Sequence, residues 1–280
     1  TATAYGAELV WGAALEAASV DLNVTATAGE NDCGSGNPQA YALAYGLANG
    51  YKESYGSMNA GGTLKVTGAA VVKVAAAGGT STSTDITADV TAYGLSNVNT
   101  YDYDSDVTST LGSLDATVSA TGGTAANTMN VNAYGLYNRG YSNPYIASKI
   151  SSKAVVDVTG TTTLNVSATG GNTGDAAQTV TAYGIMNQAD KNDATITLDS
   201  LDATVTATAG TIAATNETTQ EIFAYGLQNT GTNTQAEAAS VTVNKQAVFH
   251  VTADGGKSGA TSQGTDVDAY GIQSNLGKIS

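Results

Sequence analysis

Residues 116–121 alternate apolar and polar side chains, Ala-Thr-Val-Ser-Ala-Thr, and then meet Gly122-Gly123. The same phrase recurs as LNVTATAG (22–29), VKVAAAGG (72–79), LNVSATGG (164–171), ATVTATAG (203–210) and FHVTADGG (249–256). A period of two is the signature of a strand with one buried face. It places Val24, Val74, Val118, Val166, Val205 and Val251 on one side. Ala26, Ala76, Ala120, Ala168, Ala207 and Ala253 share that side, with Thr, Ser and Asn opposite. A shorter alternating stretch precedes this strand, as in TLKVTG (63–68), VVDVTG (155–160) and SVTVNK (240–245). Corners of two or three residues, such as Thr-Gly, Asp-Ser or Asn-Lys, join the two.

A third segment carries Ala-Tyr-Gly seven times, at Tyr5, Tyr45, Tyr93, Tyr134, Tyr183, Tyr225 and Tyr270. Strict alternation from Val90 and Ala92 inward would turn Leu95 outward, and likewise Leu136, Ile185, Leu227 and Ile272. A column of exposed Leu and Ile is costly, so the phase is expected to reset at Gly, by a positive φ or a bulge. Two residues after Leu or Ile stands Asn49, Asn97, Asn138, Asn187 or Asn229, with Ser274 in the last copy. Stacked at strand spacing, these asparagines are predicted to form a hydrogen-bonded ladder and the tyrosines a ring stack.

The tyrosine spacings are 40, 48, 41, 49, 42 and 45 residues. A variable period with constant phrases predicts stacked supersecondary units joined by elastic loops. The expected fold is an all-β solenoid, with about three strands per repeat and loops at the corners. Residues 1–280 form one repetitive unit, with repeats near 5–44, 45–92, 93–133, 134–182, 183–224 and 225–269. At ~4.8 Å per strand the stack is on the order of 30 Å long. The chain starts inside one repeat phrase and ends just after another. It is therefore expected to be a segment of a longer chain, or to stack end to end on its own copies.

Composition narrows the function. There are 24 acidic residues against 10 basic ones, and Arg139 is the one arginine. Without a basic patch, nucleic acid and anionic membrane surfaces are poor partners, and no apolar run reaches the length of a membrane span. Cys33 is the one cysteine, so no intrachain disulfide forms. His250, the one histidine, falls on the outward side of its strand, which leaves neither a catalytic triad nor a histidine metal site. Gly256-Lys257-Ser258 resembles the end of a phosphate loop, but the first glycine would fall at Val251. Asp102, Asp104 and Asp106 have the spacing that begins a calcium loop, but the twelfth position is Ser113. A weak calcium site there is the alternative to a solvated acidic loop, and no other cofactor is expected. Outward Thr25, Thr27, Ser119, Thr121, Ser167, Thr169, Thr204, Thr206 and Thr208 raise ice binding as a further alternative. The aromatic stretch YNRGYSNPY, with Tyr137, Arg139, Tyr141 and Tyr145, is the candidate contact loop.

Three strands per coil, an asparagine ladder, a small-aliphatic interior and a Thr/Gly-rich acidic surface resemble the parallel β-helix of bacterial autotransporter passengers and related repetitive surface proteins. The resemblance covers the whole chain and rests on pattern. It implies a right-handed coil and an extracellular or cell-surface rod that is adhesive or structural and has no catalysis. Its partners would be its own copies, or host or matrix glycans and proteins. Glycan binding and a polysaccharide-degrading β-helix are the rival readings.

Overall fold

Val and Thr fit a pleated surface and Gly punctuates it, and the chain folds accordingly into strands without a helix among the described residues. The computed structural model describes residues 1–10, 12–30, 40–50, 62–80, 87–99, 106–125, 128–141, 152–174, 177–190, 192–213, 218–231, 239–256 and 263–280. In chain order the strands are β1 (Ala2–Leu9), β2 (Ala14–Ala17), β3 (Val20–Thr27), β4 (Ala40–Asn49), β5 (Thr63–Ala77) and β6 (Ala88–Asn99). There follow β7 (Val107–Thr121), β8 (Thr124–Ala125), β9 (Met129–Tyr141), β10 (Lys153–Thr169), β11 (Asn172–Thr173) and β12 (Gln178–Asp190). The last are β13 (Asp193–Thr208), β14 (Thr211–Ile212), β15 (Thr218–Gly231), β16 (Ala239–Asp254), β17 (Gln263–Asn275) and β18 (Lys278–Ile279).

Three parallel sheets result. One runs β1-β4-β6-β9-β12-β15-β17 and holds every Ala-Tyr-Gly segment. The second runs β18-β16-β13-β10-β7-β5-β2, with β3 also paired to β5. The third is β14-β11-β8. From β4 to β7 the chain alternates between the two large sheets, so each strand pairs with its counterpart one repeat later. The tyrosine strands keep register residue for residue: Tyr5 faces Tyr45, Tyr45 faces Tyr93, and Tyr93 faces Tyr134.

The core lies between the large sheets. Val24, Val74, Val118, Val166 and Val205 are buried, as are Ala26, Ala76, Ala120, Ala168 and Ala207. Leu47, Leu95, Leu136 and Ile185 face them at 0% exposure. In the last repeat, Val251 and Ala253 are only partly buried, and Ile272 is 52% exposed, because β17 ends its sheet and β18, beyond β16, pairs only with Ser240 and Val241.

Two local features differ from the sequence expectation. The tight corner between the short strand and the Val/Ala strand is a bend within one continuous strand in β5, β7, β10, β13 and β16. Pairing slips there, between Val66 and Ala69 and between Val158 and Thr161, and resumes beyond. A bulge of this kind bends a strand without ending its hydrogen bonding. Only the first repeat keeps two separate strands, β2 and β3. The third sheet is also additional: its two-residue strands follow the glycines at Gly123, Gly171 and Gly210 and are too short to show a period.

The phase of the Ala-Tyr-Gly strand does reset. Ala92 and Leu95 are both buried, and the ladder passes from Tyr93–Tyr134 to Leu95–Leu136 over the glycines. Neither expected device produces it: among described glycines only Gly12 and Gly50 have positive φ, and pairing passes the Ala-Tyr-Gly glycines without the register shift of a bulge.

Candidate functional site

Two columns and a groove organise the tyrosine sheet. The first column closes one corner of the core. Asn49 Nδ2 donates to Asn97 Oδ1 at 3.1 Å, and the links Asn97–Asn138, Asn138–Asn187 and Asn187–Asn229 are each 2.8 Å. Each amide also donates to carbonyls at the start of the facing strands. Asn138 reaches Ala154 O at 3.1 Å and Thr195 O at 3.2 Å, while Asn187 reaches Ala194 O at 3.0 Å and Ser240 O at 3.2 Å. All five amides are buried at 0–1% exposure, so the ladder satisfies polar groups that burial would otherwise penalise. It ends where the repeat changes. Leu9 precedes Asn49 in register, and Asn49 Oδ1 is left buried without a donor.

The opposite corner is built differently. Met129, Gln178 and Gln220 stand in register. Gln220 Nε2 donates to Gln178 Oε1 at 3.3 Å, Gln178 Nε2 donates to Gly171 O at 2.9 Å, and Gly210 N donates back to Gln178 Oε1 at 2.7 Å. No single letter fills this place in every repeat, where Ala40, Ala88, Met129, Gln178 and Gln220 succeed one another, so the sequence pattern does not mark it. Register with Ala88 at the same level is the signal that would have found it.

The tyrosine rings form the second column, on the side of the sheet away from the core. Successive centroids from Tyr5 to Tyr270 are 4.9, 4.8, 4.7, 4.9, 5.0 and 5.2 Å apart, with interplanar angles of 0–9°. The ring faces inside the column are thus consumed by one another, and Tyr270 donates its hydroxyl to Asp268 Oδ2 at 3.0 Å. Tyr137 leans on the column, its centroid 5.6 Å from Tyr93 and 5.3 Å from Tyr134.

Burial pushes the Tyr134 phenol well above the usual tyrosine range, with the nearby phenols of Tyr183 and Tyr137 adding to the effect. Tyr183 is raised for the same reasons, burial first and then Tyr225 and Tyr137. The fold therefore favours the neutral phenol. Stability from this source is complete below the unfolded tyrosine value of about 10 and falls as pH rises beyond it. Absorbance titration at 295 nm should show part of the 15 tyrosines ionising freely. Tyr134 and Tyr183 should ionise only together with loss of the circular dichroism of the sheet. Full ionisation of every tyrosine in the folded state would contradict this.

The expected contact loop is placed otherwise. Tyr137, Arg139 and Tyr141 lie on β9, and Tyr145 lies outside the described residues. The alternation of β9 continues past Asn138 because its neighbour β12 runs on to Asp190 and keeps pairing it. Arg139 is engaged: its Nε and a terminal nitrogen donate to Asp190 Oδ2 at 3.1 and 2.7 Å, and its guanidinium lies 4.7 Å from the centre of the Tyr141 ring. This half-buried group holds β9 to β12 rather than offering a spare cation.

The remaining candidates do not converge. His250 is exposed on β16, in register with Thr204. Asp106 accepts a hydrogen bond from the Lys153 backbone N at 2.8 Å, while Asp102 and Asp104 lie outside the described residues. Cys33, Lys257 and Ser258 also lie outside them. Among the described residues, no group of three His, Cys, Asp or Glu is arranged to hold a metal ion.

A groove of ≈ 610 Å³ runs across the outer side of the tyrosine sheet, beside the ring column. Its floor and walls come from β1, β4, β6, β9 and β12 and from Thr1, with Thr91, Asn132 and Leu43 in one row and Asp89, Asn130 and Thr179 in the next. Asn130 Nδ2 donates to Asp89 Oδ1 at 2.8 Å, which fixes both side chains at the wall.

These features define a repetitive all-β protein of parallel sheets, with polar and aromatic columns carried in register from repeat to repeat. No known family, curated protein or solved structure matches the chain.

Proposed function

We propose that the chain is a right-handed β-solenoid of the autotransporter-passenger kind, acting outside the cell or on its surface as a non-catalytic rod that adheres to its own copies or to matrix glycans and proteins. The observation that carries this reading is the unbroken register of seven tyrosine strands, with rings 4.7–5.2 Å apart throughout. A unit that stacks on its own likeness builds length, and length with a chemically repetitive face suits a scaffold better than a reaction centre. Carboxylates among the described residues are spread over many strands, whereas glycoside hydrolysis needs two of them converging on one bond. Ice binding is the weaker alternative. The outward Thr/Ser columns of the second sheet are interrupted where Ala75 and Ala77 stand in register with Ser119 and Thr121.

Electron microscopy of the native material with gold-labelled antibody against this chain tests the reading. Label on surface-attached rods or shed fibres is the expected result. Label confined to the cell interior would overturn it.

A further inference from the structure

We propose that the groove beside the tyrosine column binds a neutral, extended oligosaccharide lying along the stacking direction, across the strands. Its volume of ≈ 610 Å³ falls within the ordinary range of small-ligand pockets. What the walls present decides the ligand class. Hydroxyls of Thr91 and Thr179, amides of Asn130 and Asn132 and the carboxylate of Asp89 line it, together with phenol edges of the column. Such a lining donates and accepts hydrogen bonds in about equal measure, which is what a polyhydroxylated ligand offers in return.

The same lining excludes the competitors. Among the described residues no Lys or Arg side chain lines the groove, and Asp89 adds negative charge, so phosphorylated, sulfated and uronate ligands are disfavoured. The groove lies over the face of the sheet, from the edge strand β1 to β12, and main-chain hydrogen bonds run in the plane of the sheet, so a peptide lying in it cannot add as a strand. Leu43 and Ala42 are the aliphatic residues in the lining, too few for a lipid chain.

Periodicity supplies the remaining reason. Equivalent positions recur at one strand spacing, ~4.8 Å, and the residue repeat of an extended β-linked sugar chain is close to that. Successive sugars would therefore meet successive positions of the same rows, Thr91 then Asn132 in one and Asp89, Asn130 then Thr179 in the next. The floor row ends in that direction: Thr181 is 5% exposed, and Phe223 and then Asp268 take the next positions. A ligand of limited length, held over the first strands, is the consequence.

This assignment rests on the surface-rod reading for its setting, but its test does not. Calorimetric titration of the whole chain with neutral linear gluco-, xylo- and manno-oligosaccharides of two to six residues should show affinity rising with length in at least one series. A hexuronate chain should bind more weakly. Asn132→Trp fills the groove floor from the outer side of the sheet and should weaken binding at least ~tenfold, with Asn132→Ala giving a smaller loss in the same direction. Thr204→Trp, on the exposed face of the second sheet, should leave binding unchanged. Circular dichroism checks that each variant is folded. If Asn132→Trp does not fold, Asn132→Ala with Thr91→Val carries the test. Absence of binding in all three neutral series, tighter binding of the hexuronate, or wild-type affinity in the groove variants would each overturn the proposal. Chain found on the cell surface that binds no sugar sinks the groove alone. Chain that binds sugar but lies inside the cell sinks the rod reading alone.

Discussion

Gly135→Val is expected to prevent folding or to lower stability by more than ~4 kcal/mol, whereas Gly271→Ala, in the same Ala-Tyr-Gly phrase, should change it by less than ~0.5 kcal/mol. A Cβ at position 135 would stand 2.7 Å from the Gly184 carbonyl oxygen and 2.9 Å from Val166 Cγ2. The carbonyl belongs to the backbone of the next strand and cannot retreat without stretching the ladder. Valine adds two methyl groups to this clash in a core of Val, Ala and Leu that has no slack. At position 271 a Cβ meets nothing within 4 Å, because β17 is the last strand of its sheet. Urea unfolding followed by circular dichroism reads the difference. Equal sensitivity at the two glycines would show that the phrase itself, not its stacking, requires glycine.

Asn138→Leu is the second large effect, about 2–4 kcal/mol of destabilisation. The substitution conserves volume approximately and is apolar in an apolar neighbourhood, so packing alone would tolerate it. It removes the donor that serves Asn187 Oδ1 at 2.8 Å and the carbonyls of Ala154 and Thr195. It also removes the acceptor for Asn97 Nδ2. Asn49→Leu should cost about half as much, since Asn49 sits at the end of the ladder with its Oδ1 already buried without a donor. The order Asn138 above Asn49 in thermal melting checks the ladder as a cooperative unit. The reverse order would mean that each asparagine acts alone at its own corner.

The proposed rod is an idea about use, and the two substitutions act on its construction. A chain weakened at Gly135 or Asn138 should lose the tyrosine column with the sheet, because the rings are held by strand register. Tyr137 and Arg139 show how the outer face adds to this. They flank Asn138 on β9, Tyr137 leaning on the rings and Arg139 tied to Asp190.

Much of this was legible before any coordinates. Alternation in segments such as ATVSATGG marks the strands and chooses the buried face, since a period of two leaves little freedom about which side chains share a side. The recurrence of Ala-Tyr-Gly, with Leu or Ile and then Asn following, marks which segments are equivalent. The phase reset at glycine follows from the cost of exposing Leu95 and its counterparts. Other features were not legible. The bend between Val66 and Ala69 reads as a turn because Thr67-Gly68 has turn composition, yet pairing with neighbouring strands carries one strand through it. The Met129, Gln178 and Gln220 corner has no common letter, because different side chains fill one position by different contacts. The groove has no motif at all: Asp89, Thr91, Asn130 and Asn132 are ordinary outward residues, and only register places them side by side.

By itself, then, the sequence determined the all-β class, the repeat unit and the inward faces, all of which depend on local periodicity and on the cost of exposing apolar side chains. Tertiary structure decided the rest: where a glycine is indispensable and where it is free, which corner is a ladder and which a patchwork, and that a groove exists. These depend on what the neighbouring strand brings to within a few ångströms, and residues 40 to 50 positions apart meet only when register has been set.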